Sequence, residues 1–266
     1  MQVLVTRPEP QASIWAADLQ SNGLDAHALP LISIDGPADP QPVLQTWRDM
    51  ASLRLLMFVS PAAVEWFFKL RPEGAMWAEG TLAATPGPGT AHSLLAAGHA
   101  AGLRAEQLLS PDASAEQFDS ETLWPLLAPL DWQGQHVAII SGGDQQEAKG
   151  RNWLTQQWRE RGATVHAVLT YQRGPGEWNP AQQQLASQAL SQPNRHIWLF
   201  SSSQAIDHLV EHHLLASGLP APDWSAAHAL VTHPKIAERC RLLGIQRITA
   251  TRPTLGAVVE ALRSTE

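Results

Sequence analysis

The sequence predicts an α/β protein with two lobes, each built from βαβ units around a parallel sheet. Three observations carry this prediction: short β-rich runs alternate with helical patterns, the same order of runs occurs twice, and two Pro/Gly-rich breaks divide the chain. At 266 residues, with 44% hydrophobic and 16% charged residues, the chain is long and apolar enough to form two cores.

The alternation of strands and helices is regular in both halves of the chain. In the first half, the predicted elements are in order Gln2–Thr6, Gln11–Asn22, Leu55–Val59, Ala62–Leu70, Leu82–Thr85 and Thr90–Ala97. In the second half, they are His136–Ser141, Arg151–Arg161, Ile197–Ser201, Gln204–Leu215, Ala227–Thr232 and Lys235–Leu243. Because strands joined through helices pair in parallel, we expect parallel sheets.

Matching segments in the two halves predict an internal duplication. The matched pairs, in chain order, are Gly23–Ala28 with Gly162–Ala167, Phe58–Val64 with Phe200–Ile206, and Pro88, Ala91 and Gly98 with Pro234, Ala237 and Gly244. The alternative is that any doubly wound protein contains similar strand, glycine or serine, and helix successions.

The two Pro/Gly-rich breaks, at residues 35–40 and 173–180, predict the linkers between the lobes. Each break follows the end of a β-α-β unit, so the chain leaves one lobe at the first break and returns to it at the second. We therefore predict a discontinuous lobe of residues 1–35 and 174–266, a second lobe of residues 41–171, and an active site in the cleft between them.

Composition and charge exclude several classes of protein. A net charge of −7 without a run of basic residues argues against a nucleic-acid partner. No apolar stretch approaches the ~20 residues that a membrane span requires, and the first residues resemble a strand, not an export signal. The single cysteine, Cys240, excludes an intramolecular disulfide and is expected in a half-buried helical position. A cytoplasmic protein without membrane contact is expected.

Hydroxyl side chains follow two of the predicted strands and precede helices. Ser60-Pro61 and the serines at 201–203 place hydroxyls at helix N-caps, with Pro61 at the first helical position. These positions indicate plain capping or a site for carboxylates, because helix N-termini offer free N–H donors. The Gly87-Pro88-Gly89 turn would also let a ligand approach the backbone, although it lacks the spacing of a nucleotide-binding loop.

Two further features have a structural and a functional interpretation. His208 and His212 have the spacing of an inverted zinc-peptidase motif, but no third ligand segment follows, so we predict no metal site. Tyr171, the only tyrosine, lies at the end of a predicted strand beside the second break. It is either a half-buried aromatic at a domain edge or a phenol that donates a proton in the cleft.

The ordered segments of the whole chain together resemble the uroporphyrinogen-III synthase family. The resemblance rests on the succession Val3–Pro8, Phe58–Val64, Gly87–Ala91, Ser120–Leu123, Gly150-Arg151, Gly162–Val165 leading to Tyr171, Phe200–Ile206 and Arg252–Thr254. It implies two α/β lobes joined by a two-stranded linker, with the first βαβ unit packed in the C-terminal lobe. It further implies a cytoplasmic, monomeric lyase without cofactor, in transient contact with the preceding deaminase.

The resemblance also implies the reaction and the site residues. Hydroxymethylbilane, a linear tetrapyrrole polycarboxylate, loses its terminal hydroxyl, and ring D attacks to form a spiro intermediate whose rearrangement gives uroporphyrinogen III. Tyr171 would assist hydroxyl departure, and the substrate-binding residues would be Thr6, Arg7, Ser60, Thr90, Ser202, Thr232 and Lys235. Ser141 stands where the family usually has an arginine, which puts one carboxylate contact in doubt. The alternative function is a non-catalytic, two-lobed binder of tetrapyrroles or anions.

Overall fold

The computed structural model describes residues 1–112, 119–143, 148–215 and 222–265. Its contacts divide the chain into two compact units. Unit 1 comprises Met1–Ile34 and Gly174–Glu266, and unit 2 comprises Asp35–Arg173. No helix in these described ranges is long and apolar enough to span a membrane.

The strands and helices follow one another in nearly strict alternation. The first third of the chain contains β1 (Gln2–Val5), α1 (Gln11–Ser21), β2 (Ala26–Ala28), β3 (Ile32–Asp35), α2 (Gln41–Arg48), β4 (Leu55–Phe58), α3 (Pro61–Lys69) and β5 (Leu82–Ala84). The middle contains α4 (Pro88–Gly98), β6 (Leu108–Leu109), α5 (Ser120–Leu127), β7 (His136–Gly143), α6 (Ala148–Glu160) and β8 (Thr164–Pro175). The last third contains α7 (Pro180–Ser191), β9 (His196–Phe200), α8 (Ser203–His208), β10 (His228–Val231), α9 (Pro234–Leu243), β11 (Arg247–Ala250) and α10 (Leu255–Arg263).

The five-stranded sheet of unit 1 has the order β11-β10-β9-β1-β2, and its neighbouring strands pair in parallel. Both faces of this sheet are covered by apolar clusters, and the central strands are mainly apolar. Leu4 and Trp198 enter the core on one face, whereas Val3 and Ile197 enter the core on the other. This alternation follows from the two-residue period of a strand.

The second sheet has the order β3-β8-β7-β4-β5-β6, and its strands β4 to β7 lie in unit 2. The pairs β4–β5, β4–β7, β5–β6 and β7–β8 are parallel, as predicted for βαβ units. One face packs Leu55, Met57 and Ile139 against Trp132 and Trp158. Elsewhere in unit 2, Trp47 stacks on Phe67 with ring centroids 4.7 Å apart, and both rings are buried.

Apart from the additional strand β3, the two sheets have the same strand arrangement, but the equivalent strands follow one another in a different chain order. In unit 1, the pair β1–β2 precedes the trio β9–β10–β11; in unit 2, the trio β4–β5–β6 precedes the pair β7–β8. Each of the three matched segment pairs in the sequence lies on equivalent elements: the turn and the start of the strand at β2 and β8, the ends of β4 and β9 with the following helices, and α4 and α9. The shared topology is what a duplication would produce, and the duplication itself stays a prediction.

Three expectations from the sequence need correction. The second Pro/Gly-rich break was expected to begin at Arg173, but β8 runs through it to Pro175, because proline is tolerated at the end of a strand. The helix expected over Gln204–Leu215 is α-helical only to His208 and continues as a π-helix from Leu209 to Leu215. Cys240 is fully buried, not half-buried, and burial raises the pKa of its thiol to about 12.

Acid is expected to destabilise unit 1 because two of its histidines are held neutral. Burial lowers the pKa of His213 and of His228 from 6.5 to about 4. The unfolded chain therefore binds more protons between pH 6.5 and pH 4, and stability must fall as the pH drops through that window. Melting temperatures measured across it should decrease less for His228→Gln, which cannot be protonated, than for the unaltered chain. Equal pH dependence of the two proteins would contradict this assignment.

Candidate active site

Ligands of parallel α/β sheets bind at the carboxyl ends of the strands, beside the point where the strand order reverses. In unit 1 this point lies between β1 and β9; Thr6 and Arg7 follow β1, and Ser202 follows β9. In unit 2 it lies between β4 and β7, and Ser60 follows β4. The residues expected from the sequence therefore lie at the edge where each sheet would bind a ligand.

Ser60 is the N-cap of α3, as the sequence predicted. Its backbone is extended, its Oγ accepts a hydrogen bond of 3.2 Å from the backbone N–H of Ala63, and Pro61 occupies the first turn. This capping bond satisfies one of the free donors of the helix, and the others remain beside a partly exposed hydroxyl. The arrangement favours a negatively charged ligand group.

Tyr171 lies directly beside Ser60 in unit 2. In the register of β7 with β8, Tyr171 pairs with Gly142, at a bulge that follows Ser141. The phenol oxygen is 3.3 Å from Ser60 Oγ and accepts a hydrogen bond of 3.2 Å from Arg173 Nη2. The side chain was expected to be half-buried or to face a cleft, but it is only 1% exposed. The structure therefore gives the ring a buried position and the oxygen two polar neighbours.

Gly142 makes room for the Tyr171 ring. A Cβ at Gly142 would come within 2.8 Å of Cε1 of Tyr171 and closer still to Cζ. At the adjacent Gly143, the nearest atoms to a Cβ would be 3.8 and 3.9 Å away, which is ordinary contact. Any side chain at position 142 must thus displace the ring from its place beside Ser60.

Arg173 was absent from the candidates taken from the sequence. It lies two residues after Tyr171 on β8, and a strand turns residues at this spacing to the same side. Its guanidinium carbon is 5.7 Å from the centroid of the Tyr171 ring. The two-residue period of a strand would have identified Arg173 as a neighbour of Tyr171 if β8 had been predicted to extend to Pro175.

Arg7 is the partly buried cation of unit 1 at the end of β1. Its guanidinium carbon lies 3.9 Å from the centroid of the Trp15 ring, and Nη1 donates a bond of 3.3 Å to Gln11. Nε is buried without a partner among the described residues, and burial lowers the pKa of the guanidinium. An unpaired buried donor on a cation is suited to a carboxylate.

Thr6 and Thr90, two of the expected substrate-binding residues, have buried side chains. Thr6 is 1% exposed, and its Oγ1 donates a 2.8 Å bond to the carbonyl oxygen of Leu199, which links β1 to β9. Thr90 is 7% exposed in the first turn of α4. Ser141 is also buried, and its carbonyl oxygen accepts a bond from Thr170.

The remaining expected residues lie at the carboxyl edge of unit 1. Ser202 is the N-cap of α8, but its side chain makes no capping bond, unlike that of Ser60. Thr232 directly follows β10 and is partly exposed, and Lys235 lies exposed in the first turn of α9. The cap of α9 is His233, which accepts from the backbone N–H of Lys235 and which sequence reasoning missed.

The histidine pair of the zinc-like motif has other contacts. His208 is buried, and its Nδ1 lies 3.1 Å from the carbonyl oxygen of Leu31. The rings of His208 and His212 are 5.5 Å apart in an edge-to-face contact. Among the described residues, no three His, Cys, Asp or Glu side chains could together hold a metal ion.

Comparison with known proteins identifies relatives over the whole chain. The model of a family described as HEM4, uroporphyrinogen-III synthase HemD, matches residues 13–260. Among solved structures, uroporphyrinogen-III synthetase from Helicobacter pylori is similar with a TM-score of 0.59 at 15% identity, covering 100% of this chain and 99% of the other. A mutant uroporphyrinogen III synthase from the bacterium Thermus thermophilus gives a TM-score of 0.55 at 17% identity, covering 99% and 98%.

Proposed function

The chain belongs to the uroporphyrinogen-III synthase family of tetrapyrrole biosynthesis, and from this premise we propose that it is a hydro-lyase acting on hydroxymethylbilane. The terminal hydroxyl of the bilane leaves as water, and ring D attacks through its substituted carbon to form a spiro intermediate. Rearrangement then closes the macrocycle with ring D inverted. The Ser60, Tyr171 and Arg173 contacts at the carboxyl edge of the sheet are the single observation that carries this proposal.

These contacts can supply what departure of the hydroxyl requires. Loss of hydroxide is unfavourable unless a proton is delivered to the leaving oxygen, and hydroxyl side chains such as a phenol can donate one. The hydroxyl groups of Tyr171 and Ser60 are therefore possible proton sources, and both lie beside the N-terminus of α3. The rest of catalysis is positioning, because the bilane cyclises unaided to the wrong isomer and must be held in one conformation.

Binding of a polycarboxylate to a protein with a net charge of −7 needs local donors. Backbone N–H groups at the N-termini of α3, α4 and α9 can hold acetate and propionate groups. The orphan Nε of Arg7 and the exposed ammonium of Lys235 can add charge-assisted bonds. Ser202 and Thr232 can contribute hydroxyls, and the buried Thr6 and Thr90 would support the backbone at these sites.

The cellular setting is part of the same proposal. We place the reaction in the cytoplasm, because the single, buried thiol of the chain suits a reducing compartment. A monomer that needs no cofactor is part of the same proposal. A transient contact with the preceding deaminase would shorten the time in which the free bilane can cyclise unaided.

A non-catalytic binder of tetrapyrroles is the alternative, and turnover separates it from an enzyme. The chain, added at one hundredth of the bilane concentration, is expected to accelerate macrocycle formation over many turnovers. A binder would alter at most one bilane per chain, and the remaining bilane would cyclise at the uncatalysed rate. Absence of acceleration in a correctly folded sample would overturn the proposed function.

Replacement of Ser202 by alanine is expected to lower kcat/KM modestly. One hydrogen bond to a charged group is worth ~1.5–3 kcal/mol, and a polycarboxylate is bound by many such donors. The hydroxyl of Ser202 makes no capping bond, so the melting temperature should stay close to that of the unaltered chain. Steady-state kinetics and thermal unfolding check both parts. Unchanged kcat/KM would remove Ser202 from the binding residues, and abolished activity in a folded protein would contradict dispersed binding.

A further inference from the structure

Exposure differs along the chain of contacts formed by Ser60, Tyr171 and Arg173. Tyr171 is 1% exposed, whereas Ser60 is partly exposed at the carboxyl end of β4. A bound ligand can therefore reach the Ser60 hydroxyl more readily than the Tyr171 phenol. Of the two hydroxyl groups in this set, that of Ser60 is therefore better placed to touch a substrate, and Arg173, which is also partly exposed, carries no proton that it gives up at neutral pH.

The direction of the hydrogen bonds follows from the donors that each group carries. A guanidinium has only donors, so Arg173 donates to the phenol oxygen of Tyr171. The buried phenol proton then has Ser60 Oγ as its acceptor among the described residues. Ser60 Oγ also accepts from the backbone N–H of Ala63. With both of its acceptor positions occupied, Ser60 is left with its own proton to donate outward.

We propose that Ser60 is the catalytic residue that protonates the leaving hydroxyl of the bilane, and that Tyr171 and Arg173 are positioning residues that act through it. This proposal deepens the proposed function and rests on it. The carbon–oxygen bond of the hydroxymethyl group breaks, and its electron pair leaves with the oxygen. That oxygen takes the Ser60 proton while Ser60 takes the Tyr171 proton, so water is released and a phenolate forms.

The charges balance within the enzyme and the substrate. The bilane becomes an azafulvenium cation, and the negative phenolate oxygen lies 3.2 Å from the positive guanidinium of Arg173. After ring D has attacked and the macrocycle has closed, a ring carbon of the product loses a proton. That proton returns through Ser60 to the phenolate, which restores the starting state without an oxidant, a reductant or a metal.

A double-mutant cycle tests whether Tyr171 acts through Ser60. Ser60→Gly removes the hydroxyl with little cost to the helix, because glycine is nearly as good an N-cap as serine. We expect Ser60→Gly and Tyr171→Phe each to slow single-turnover conversion by ~10²–10⁴-fold, and the double variant to be no slower than the slower single variant. Multiplied effects in the double variant would show two independent contributions and overturn the relay.

The number of protons that move in the rate-limiting step can be measured from the solvent isotope effect. A purely structural role of Tyr171 would not change this number. In mixtures of H₂O and D₂O, the single-turnover rate of the unaltered chain should fall along a curve, because two protons move together. Tyr171→Phe retains only the Ser60 proton and should give a straight line. A straight line for the unaltered chain would contradict the two-proton transfer.

Conservative variants complete the test. Ser60→Thr keeps a hydroxyl and should retain turnover within about tenfold of the unaltered chain, because a threonine can cap the helix as well. Arg173→Lys keeps the positive charge and should be faster than Arg173→Met. Equal rates for Arg173→Lys and Arg173→Met would show that the positive charge at position 173 does not contribute to turnover. Type III product from the unaltered chain with independent Ser60 and Tyr171 effects would reject only the relay, whereas absence of that product would reject the proposed function.

Discussion

Tyr171→Phe is expected to slow turnover by ~10²–10⁴-fold while leaving the affinity for the product nearly unchanged. The substitution keeps the buried ring over Gly142 and removes only the oxygen, which accepts from Arg173 and lies 3.3 Å from Ser60. Without the phenol, the proton source behind the serine is lost. Single-turnover kinetics with hydroxymethylbilane and titration with uroporphyrinogen III measure the two effects separately.

The stability of this variant also has an expected value. Removal of a buried acceptor leaves a guanidinium donor less satisfied, so the free energy of unfolding should fall by ~1–3 kcal/mol. Kinetics must therefore be compared well below the melting temperature. Near-normal turnover of folded Tyr171→Phe would show that Tyr171 contributes only to packing. The proton would then have to come from water or from a carboxyl group of the substrate.

Gly142→Ala is expected to abolish most of the activity by displacing the same ring. The added Cβ would lie 2.8 Å from Cε1 of Tyr171 and closer to Cζ, and the ring is buried with little space to move. Overpacking of this kind costs ~1–3 kcal/mol of stability. A shift of about 1 Å in a catalytic group can cost ~10²-fold in rate, so the loss should at least match that level.

Gly143→Ala is the matched control for this prediction. It adds the same methyl group at the next residue of β7, where the nearest atoms are 3.8 Å away or more. We expect its stability and turnover to stay close to those of the unaltered chain. Equal loss in the two variants would show that the strand itself, and not the position of Tyr171, is sensitive to substitution.

The order of elements could be predicted from the sequence because local patterns determine it. Apolar runs such as Leu55–Phe58 are buried on both faces of the sheet, and Ser60-Pro61 directly marks the start of α3. The capping role of Ser60 was therefore predictable, and so was its position at the carboxyl edge. At Ser60, the sequence pattern and the structure that it produces both lie within a few residues of the chain.

The burial of Tyr171 could not be predicted in this way. It depends on the register of β7 with β8, on the bulge after Ser141 and on the missing side chain at Gly142, which is 29 positions away in the chain. The same limitation applies to Thr6, whose hydroxyl bonds to a strand that begins almost 200 residues later. Contacts between distant segments decide whether such side chains are exposed, and periodicity carries no information about them.

The isomer of the product tests the central claim most directly. Hydroxymethylbilane, generated in place by the preceding deaminase, is cyclised with and without the chain, and the uroporphyrinogens formed are separated by isomer. If the chain catalyses the proposed cyclisation, type III is the main product with the chain and type I without it. Type I alone, formed at the uncatalysed rate in the presence of folded protein, would contradict it.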